Sequence, residues 1–325
     1  MKIGFCYDCC EDYGFNSNDL SYCDFISPSA ITFVKNTIQR CGYEVELIGN
    51  YKQLLLKISS GFDFDIILTA AEGIKSRNRE SWISSIAEMN KIPYIGTDAY
   101  GTIVTLDKAL TKIIANHLNI LTPPFVEIND SNSIANAQEL KYPLIVKPNF
   151  EGSSMGVSIV NNIAELENHC EYLLNKYSQK ILAEKYIKGK EITVSIYEIE
   201  NEPKVFGMVE SIQNNGEIMP IYSSEIKRIY GCKKILPRIN KSVENKIMEN
   251  SIKIYKYLDC KDYCRVDFRL DENDTPYLIE VTPLPALSAT ASFMMAAKLN
   301  NISPNEVFNT IIHNACSRYG LFPKS

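Results

Sequence analysis

Apolar residues in the first hundred positions alternate between two rhythms. Short apolar runs predict buried strands at KIGFCY (2–7), YEVELIG (43–49), FDIILTA (64–70) and IPYIG (92–96). Between them, Ile31, Val34 and Ile38 share one helix face, in a segment opened by Ser27-Pro28 and closed by Cys41-Gly42. QLLLKIS and SWISSIAEMN supply two more helices. This order of strand and helix predicts a parallel βα unit. Ligands of such sheets bind beyond the carboxyl ends of the strands. The loop after FDIILTA, with Glu72-Gly73, Arg77, Arg79 and Glu80, is therefore expected at a site, and the polar stretch Asp8 to Phe25 reads as a loop over it.

The rest of the chain changes character. Thr102 to Asn119 predicts one helix carrying Asp107, Lys108 and Lys112, ended by Thr122-Pro123-Pro124. PLIVKPN and VSIVNN read as strands around the loop Phe150 to Gly156, FEGSSMG. A helix at Glu165 to Tyr177, a strand at ILAEKYI and a hairpin turning at Glu202-Pro203 follow. After a polar stretch holding SSEIKR come the helix ENKIMENSIKIYKYL, a second hairpin, and a terminal helix from Pro304 to Arg318. In that second hairpin, CRVDFRL and YLIEV flank the turn DENDTP. A period of 2 puts Arg265 and Asp267 on one face, and Glu280 and Thr282 on one face of the returning strand. Two carboxylates and a guanidinium converge if the strands pair. Carboxylates at that density are costly without a cation, and an all-oxygen ligand set points to Mg²⁺ rather than zinc. A charged solvent face is the competing reading.

Composition narrows the class. With 325 residues, 45% hydrophobic and 22% charged, the chain reads as a soluble globular protein of two or three packed sub-domains. A net charge of -5 gives no support to nucleic-acid or membrane-surface binding. No stretch nears the roughly 20 apolar residues of a membrane span, and no signal peptide is evident, so a cytoplasmic location is expected. The ten cysteines are irregularly spaced and read as buried free thiols rather than a disulfide framework or zinc site.

The common phosphate-binding fingerprints G-x-x-x-x-G-K-[ST] and G-x-G-x-x-G are missing. EGSSMG, directly after the strand-borne Lys147, is a small-residue loop of the kind whose N–H groups approach phosphate. It also matches G-x-S-x-G, with Asp267 and His313 following in triad order. That nucleophile elbow needs a helix after the motif, and β-branched VSIV follows instead. His117, His169 and His313 are scattered. Carboxylates, lysines, Arg265 and backbone groups remain, an inventory suited to phosphoryl transfer.

LDKALTK (106–112), PLIVKPNFEGSSMGV (143–157), AEKYIKGKEITV (183–194), YSSEIK (222–227) and CRVDF…LIEVTPLPALS stand in an order that resembles the ATP-grasp carboxylate–amine ligases, above all the D-alanine–D-alanine ligase group. The resemblance implies an α/β (α+β) ATP-grasp fold: an N-terminal βα domain over 1–103, a central subdomain with the phosphate loop over 104–188, and a C-terminal subdomain with the Mg²⁺ site over 189–325. It implies that ATP lies between two antiparallel sheets. Lys108 and Lys147 would contact phosphates, and Glu151, Gly152, Ser153, Ser154 and Gly156 would close over them. Glu184, Lys185, Tyr186 and Ile187 would form the adenine hinge, Glu191 would hold the ribose, and Lys227 would reach the γ-phosphate. Asp267, Glu280 and Thr282 would face one or two Mg²⁺ ions. Arg265, Ser153 and Lys227 would be the catalytic groups, with the N–H near Ala286 helping Arg265 at the oxyanion. Glu72, Arg77, Arg79, Ala286 and Ser292 would define the amino-acid sites. A homodimer is expected by the same resemblance.

Four positions depart from the group. Thr282 stands where asparagine is usual, Ala286 where glycine is, and Ala291, with Ser292 beside it, where a serine holds the acceptor carboxylate. The glutamate expected near Ser29 for the donor ammonium is missing. The nucleotide half is kept and the amino-acid half is altered. Three functions follow: a ligase joining an amino acid, including an L-residue, to another amine; a D-alanine–D-alanine ligase of cell-wall synthesis; and a nucleotide-binding homologue without ligase activity.

Overall fold

The computed structural model of the chain describes residues 1–15, 24–221, 229 and 231–322. Strands β1 (Lys2–Tyr7), β2 (Glu44–Gly49), β3 (Ile66–Ala70) and β4 (Tyr94–Ile95) form a parallel sheet in the order β2-β1-β3-β4. Ile3 and Phe5 of β1 pack on Ile31, Val34 and Ile38 of helix Pro28–Arg40, the apolar face set by their spacing. The predicted Ser27 start holds, since its hydroxyl accepts from the Ala30 N–H at 3.3 Å.

Two antiparallel sheets follow. β5 (Phe125–Ile128), β6 (Leu144–Pro148), β7 (Ser158–Val160) and β8 (Ile181–Lys185) order as β5-β8-β6-β7. β9 (Lys190–Ile199), β10 (Glu202–Ile212), β11 (Lys233–Ile235), β12 (Tyr263–Leu270) and β13 (Pro276–Thr282) order as β11-β10-β9-β12-β13. In β12 the period of 2 is realised: Cys264, Val266, Phe268 and Leu270 are fully buried beside Ile254 and Tyr255 of helix Lys241–Tyr257. Arg265, Asp267 and Arg269 take the opposite face.

Three predicted features change. The expected helix 102–119 is two, Ala99–Leu106 and Lys108–His117, because Asp107 leaves the helical conformation (ψ 95°) and caps the second. Its carboxylate accepts from the Leu110 N–H at 3.0 Å and from Asn149 Nδ2 at 2.8 Å. The first hairpin turns at Glu200-Asn201, not at Glu202-Pro203: both residues adopt left-handed backbone (φ 54° and 61°), the twist a two-residue hairpin turn favours. A helix at Ser292–Leu299, not expected from the pattern, packs Phe293, Met294, Ala296 and Ala297 into the core shared by the first and third sheets. The polar stretch with SSEIK lies outside the described residues. The described cysteines are free thiols, most of them buried.

Two contacts hold the connections into the third sheet. Gly189, between β8 and β9, has φ +151°, and a Cβ there would lie 1.9 Å from the Leu270 carbonyl oxygen. Gly189→Ala is expected to lower stability by about 1–3 kcal/mol, read as a drop in the denaturant midpoint. An unchanged midpoint would contradict this account of the join. At the other end, buried Asp262 accepts from the Gly96 N–H (2.7 Å), Asn314 Nδ2 (2.9 Å) and Arg318 NH2 (2.6 Å). It thereby ties the parallel sheet and the terminal helix Pro304–Tyr319 to β12.

Candidate active site

The second hairpin forms as its alternation requires. Arg265 lies opposite Thr282, and Asp267 opposite Glu280. Arg265 donates to Asp267 Oδ2 at 2.9 Å, to Glu280 Oε1 at 2.9 Å and to Thr282 Oγ1 at 3.3 Å. Burial pushes the Asp267 carboxyl up to about 7 against the opposing pull of Arg265. Burial would raise Glu280 too, but Lys108, Arg265 and Lys147 outweigh it and hold that carboxyl well below the usual range. Glu280 is therefore the dependable anion of the pair. Asp267 Oδ1 is buried with no hydrogen-bond partner. A buried carboxylate oxygen without a partner, on a residue paired across the strands with a second carboxylate, offers the oxygen ligands that suit a hard divalent cation such as Mg²⁺. Among the described residues no group of three or more histidine, cysteine, aspartate or glutamate side chains converges as a metal site. The fit rests on this pair alone.

Two cavities meet at this patch and share Lys108, Ser153, Arg265, Glu280 and Ala286 in their walls. One, of about 270 Å³, lies between the two antiparallel sheets and is lined by Lys147, Glu184, Glu191 and Asp267. Lys147 Nζ donates to Glu184 Oε1 at 2.6 Å, and Lys112 Nζ lies 2.8 Å from Glu184 Oε2. Buried Glu184 thus anchors two lysines, and burial pushes Lys112 down to about 8. Glu191 pairs with Arg269 at 3.2 Å, whose guanidinium is 5.6 Å from the Tyr186 ring centre. Lys185 is exposed, Ile187 is buried, and Tyr186 donates to the Pro220 carbonyl at 2.7 Å; none of these three side chains lines either of these two cavities.

The loop after β6 roofs the junction. Lys108, the first residue of its helix, reaches the Glu151 carbonyl at 2.5 Å, because the Asp107 break turns it toward the loop. Burial lowers its pKa. Ser153 and Ser154 both adopt left-handed backbone (φ 45° and 60°), a strain that side chains seldom accept outside functional loops. Gly156 continues at φ 69°, where a Cβ would strike the Leu173 side chain and the Pro148 ring. β7 follows the loop, running antiparallel to β6, so the loop joins two strands. The elbow alternative fails on that geometry. His313 stacks instead on Phe322 in the terminal helix segment.

The other cavity, of about 370 Å³, faces the parallel sheet. Glu72 and Glu80 form one side and Phe25, Ile26, Leu284 and Leu287 another. Of the amino-acid residues expected from sequence, Glu72 and Ala286 line it, and Ser292 lines the smaller cavity instead. Arg77 is exposed and away from both. Arg79 also lines neither. Its guanidinium is buried among Asp24, Glu72, Glu80 and Glu151, which corrects the expectation that it meets substrate. Glu72 and Glu80 are raised by burial and by facing other carboxylates. Lys227 lies outside the described residues. Asp24, Arg269 and Thr193 line the site without having been singled out from sequence; Arg269 carried a signal, standing two positions after Asp267 on the same strand face, whereas Asp24 and Thr193 are isolated polar residues.

A parallel βα unit beside two antiparallel sheets, with lysines, a strained small-residue loop and paired carboxylates at the junction, defines an ATP-grasp type of ligase. The D-ala D-ala ligase C-terminus family matches residues 114–313, and the chain belongs to this family, whose members are ATP-dependent ligases that form peptide bonds. It is 29% identical over 279 residues to a D-alanine–D-alanine ligase of Aquifex aeolicus, covering 86% of this chain and 92% of the relative. It is 29% identical over 292 residues to an uncharacterized protein of Sinorhizobium fredii, covering 87% and 86%. The Bacillus anthracis D-alanine–D-alanine ligase complexed with ATP shares the fold at a TM-score of 0.74, with 22% identity over 99% of both chains. The VanG D-Ala:D-Ser ligase of Enterococcus faecalis does so at 0.76, with 19% identity over 97% and 99%.

Proposed function

We propose that the chain uses ATP to join an amino-acid carboxylate to an amine through an acyl phosphate, giving a product other than D-alanyl-D-alanine. The observation that carries this is the Arg265–Asp267–Glu280 cluster at the meeting point of two cavities, with Lys108 and Lys147 beside it. The smaller cavity takes the nucleotide, with Glu191 toward the ribose and the Glu151–Gly156 loop over the phosphates. Asp267 and Glu280 would hold Mg²⁺, which supplies charge neutralisation where two anions must meet. The larger cavity takes the donor, with Glu72 and Glu80 toward its ammonium group.

The donor carboxylate attacks the γ-phosphorus, the bond to the β-phosphate oxygen breaks, and ADP leaves. The acceptor amine then attacks the acyl carbonyl. The tetrahedral oxyanion is met by Arg265 and the N–H near Ala286, phosphate departs with the C–O bonding pair, and the ammonium loses its proton to form the amide. Lys108 and Lys147 offset charge on the transferring group throughout. The altered acceptor side supports a product other than D-alanyl-D-alanine. Ala286 adds a methyl group to the wall shared by both cavities, and Ala291 offers no hydroxyl to an acceptor carboxylate.

The test is ADP release with pools of L- and D-amino acids, with product masses read out. Release that needs an amino acid pair other than D-alanine alone supports the proposal. Release only with D-alanine makes the chain a D-alanine–D-alanine ligase. Nucleotide binding without amino-acid-dependent turnover across a broad screen overturns ligation. A second expectation concerns Thr282, whose hydroxyl is a shorter and weaker ligand than an amide oxygen. Thr282→Asn should lower the Mg²⁺ concentration for half-maximal turnover by several-fold, and an unchanged Mg²⁺ titration would remove Thr282 from the metal site.

A further inference from the structure

Arg79 is buried, lines neither cavity, and yet touches the walls of both. From the 3₁₀ turn Arg79–Ser81 its NH1 donates to the Glu72 carbonyl at 2.6 Å and lies 3.4 Å from Glu72 Oε2. Its NH2 donates to the Phe150 carbonyl at 3.4 Å and lies 3.5 Å from Asp24 Oδ2 and 3.8 Å from Glu151 Oε2. Glu80 Oε1 is 3.4 Å away. One planar fork thus joins the donor cavity to the first residues of the phosphate loop. Only arginine carries donors in that spread.

The loop is also fixed from its other side. Gln179 accepts from the Phe150 N–H and donates to Glu151 Oε1, both at 2.7 Å, while Lys108 holds the Glu151 carbonyl. On the Arg79 side the loop backbone runs close to the Asp24 carboxylate, which a side chain at Gly152 would displace. A Cβ on Gly152 would lie 2.9 Å from Asp24 Oδ2. Gly73 is the more constrained, since it has φ 66° and its Cβ would meet the Arg79 carbonyl oxygen at 2.6 Å. The segment Phe150–Gly152 therefore sits in a frame whose donor-side member is Arg79, and the strained Ser153-Ser154 turn begins one residue later.

We infer that Arg79 is a positioning residue that seats the phosphate-binding loop from the donor side, so that the loop is in place before nucleotide arrives. The inference rests on the nucleotide reading of the smaller cavity. Removing the guanidinium does two things: it frees the Phe150 carbonyl, and it leaves Asp24, Glu72, Glu80 and Glu151 facing one another. Arg79→Lys separates these effects, because lysine keeps the charge but cannot span Glu72 and Phe150 with one planar group.

The test is calorimetric binding of the Mg²⁺ complex of the β,γ-imido analogue of ATP to the full chain, well below the melting temperature and with folding checked by circular dichroism. Arg79→Met is expected to weaken binding by about tenfold and Arg79→Lys by at least threefold. Affinity within twofold of wild type for Arg79→Met overturns the inference. So does weak binding by Arg79→Met with full affinity in Arg79→Lys, since charge alone would then suffice. Should Arg79→Met fail to fold, Arg79→Lys decides by itself. A simple loss of packing would lower the melting temperature of folded Arg79→Lys and leave its affinity unchanged, which also counts against the inference. No binding by the wild-type chain would sink the nucleotide reading itself, a distinct failure.

Discussion

Replacing Glu280 with glutamine is expected to cut amino-acid-dependent ADP release by on the order of 10³-fold while leaving the fold intact, the scale of removing one preorganised electrostatic group from a closed site. The amide keeps the size and one carbonyl oxygen of the carboxylate but removes its charge. Glu280 is the carboxylate that Lys108, Arg265 and Lys147 keep ionised, whereas burial makes Asp267 the easier of the two to protonate. Glutamine would leave Arg265 paired with Asp267 alone and would leave a cation at the site with half its carboxylate charge. The measurement is turnover at saturating Mg²⁺, alongside far-ultraviolet circular dichroism. Normal turnover in the variant would refute the metal assignment.

A comparable loss, in stability rather than rate, is expected from Asp262→Ala. Asp262 is fully buried, and burial raises its pKa against the opposing pull of Arg318. Its two oxygens collect the Gly96 N–H, Asn314 and Arg318, and its own N–H donates to Glu198 Oε2 at 2.8 Å. Alanine strands three donors, one of them a guanidinium. Breaking a buried pair from one side costs about 3–5 kcal/mol. The melting temperature should fall by on the order of 10 °C. Because the cluster joins β4, β12 and the terminal helix, the fall should appear in tertiary signals from all three. A shift of under about 2 °C would show that solvent or repacking replaces the network.

These residues differ in how far they were legible. The hairpin Tyr263–Thr282 was readable because alternation with a period of 2 fixes both faces of a strand, and the turn fixes which residues oppose. Asp262 was not, since its partners lie 52 to 166 positions away and only folding brings them together. Arg79 shows a different limit. Its position after a β-strand suggested a place near the site, and its charge suggested contact with substrate. Burial among four carboxylates gives it a different place, and burial is a tertiary property. The helix break at Asp107 was present as a capping residue before Leu110, yet the apolar pattern continues through it. Asn149, from the neighbouring loop, adds the second hydrogen bond that holds Asp107 out of the helix.

By itself the sequence determined the alternating βα unit, the charged face of the second hairpin and the small-residue loop, since backbone periodicity and residue size are local properties. Its motif order also carried the family. Tertiary structure alone decided that two cavities share one wall at Arg265 and Glu280, that burial and neighbouring cations push Asp267 and Glu280 in opposite directions, and that Arg79 is buried among four carboxylates. Those outcomes depend on which charges are brought together and how much water is excluded from them, and neither is written in the local order of residues.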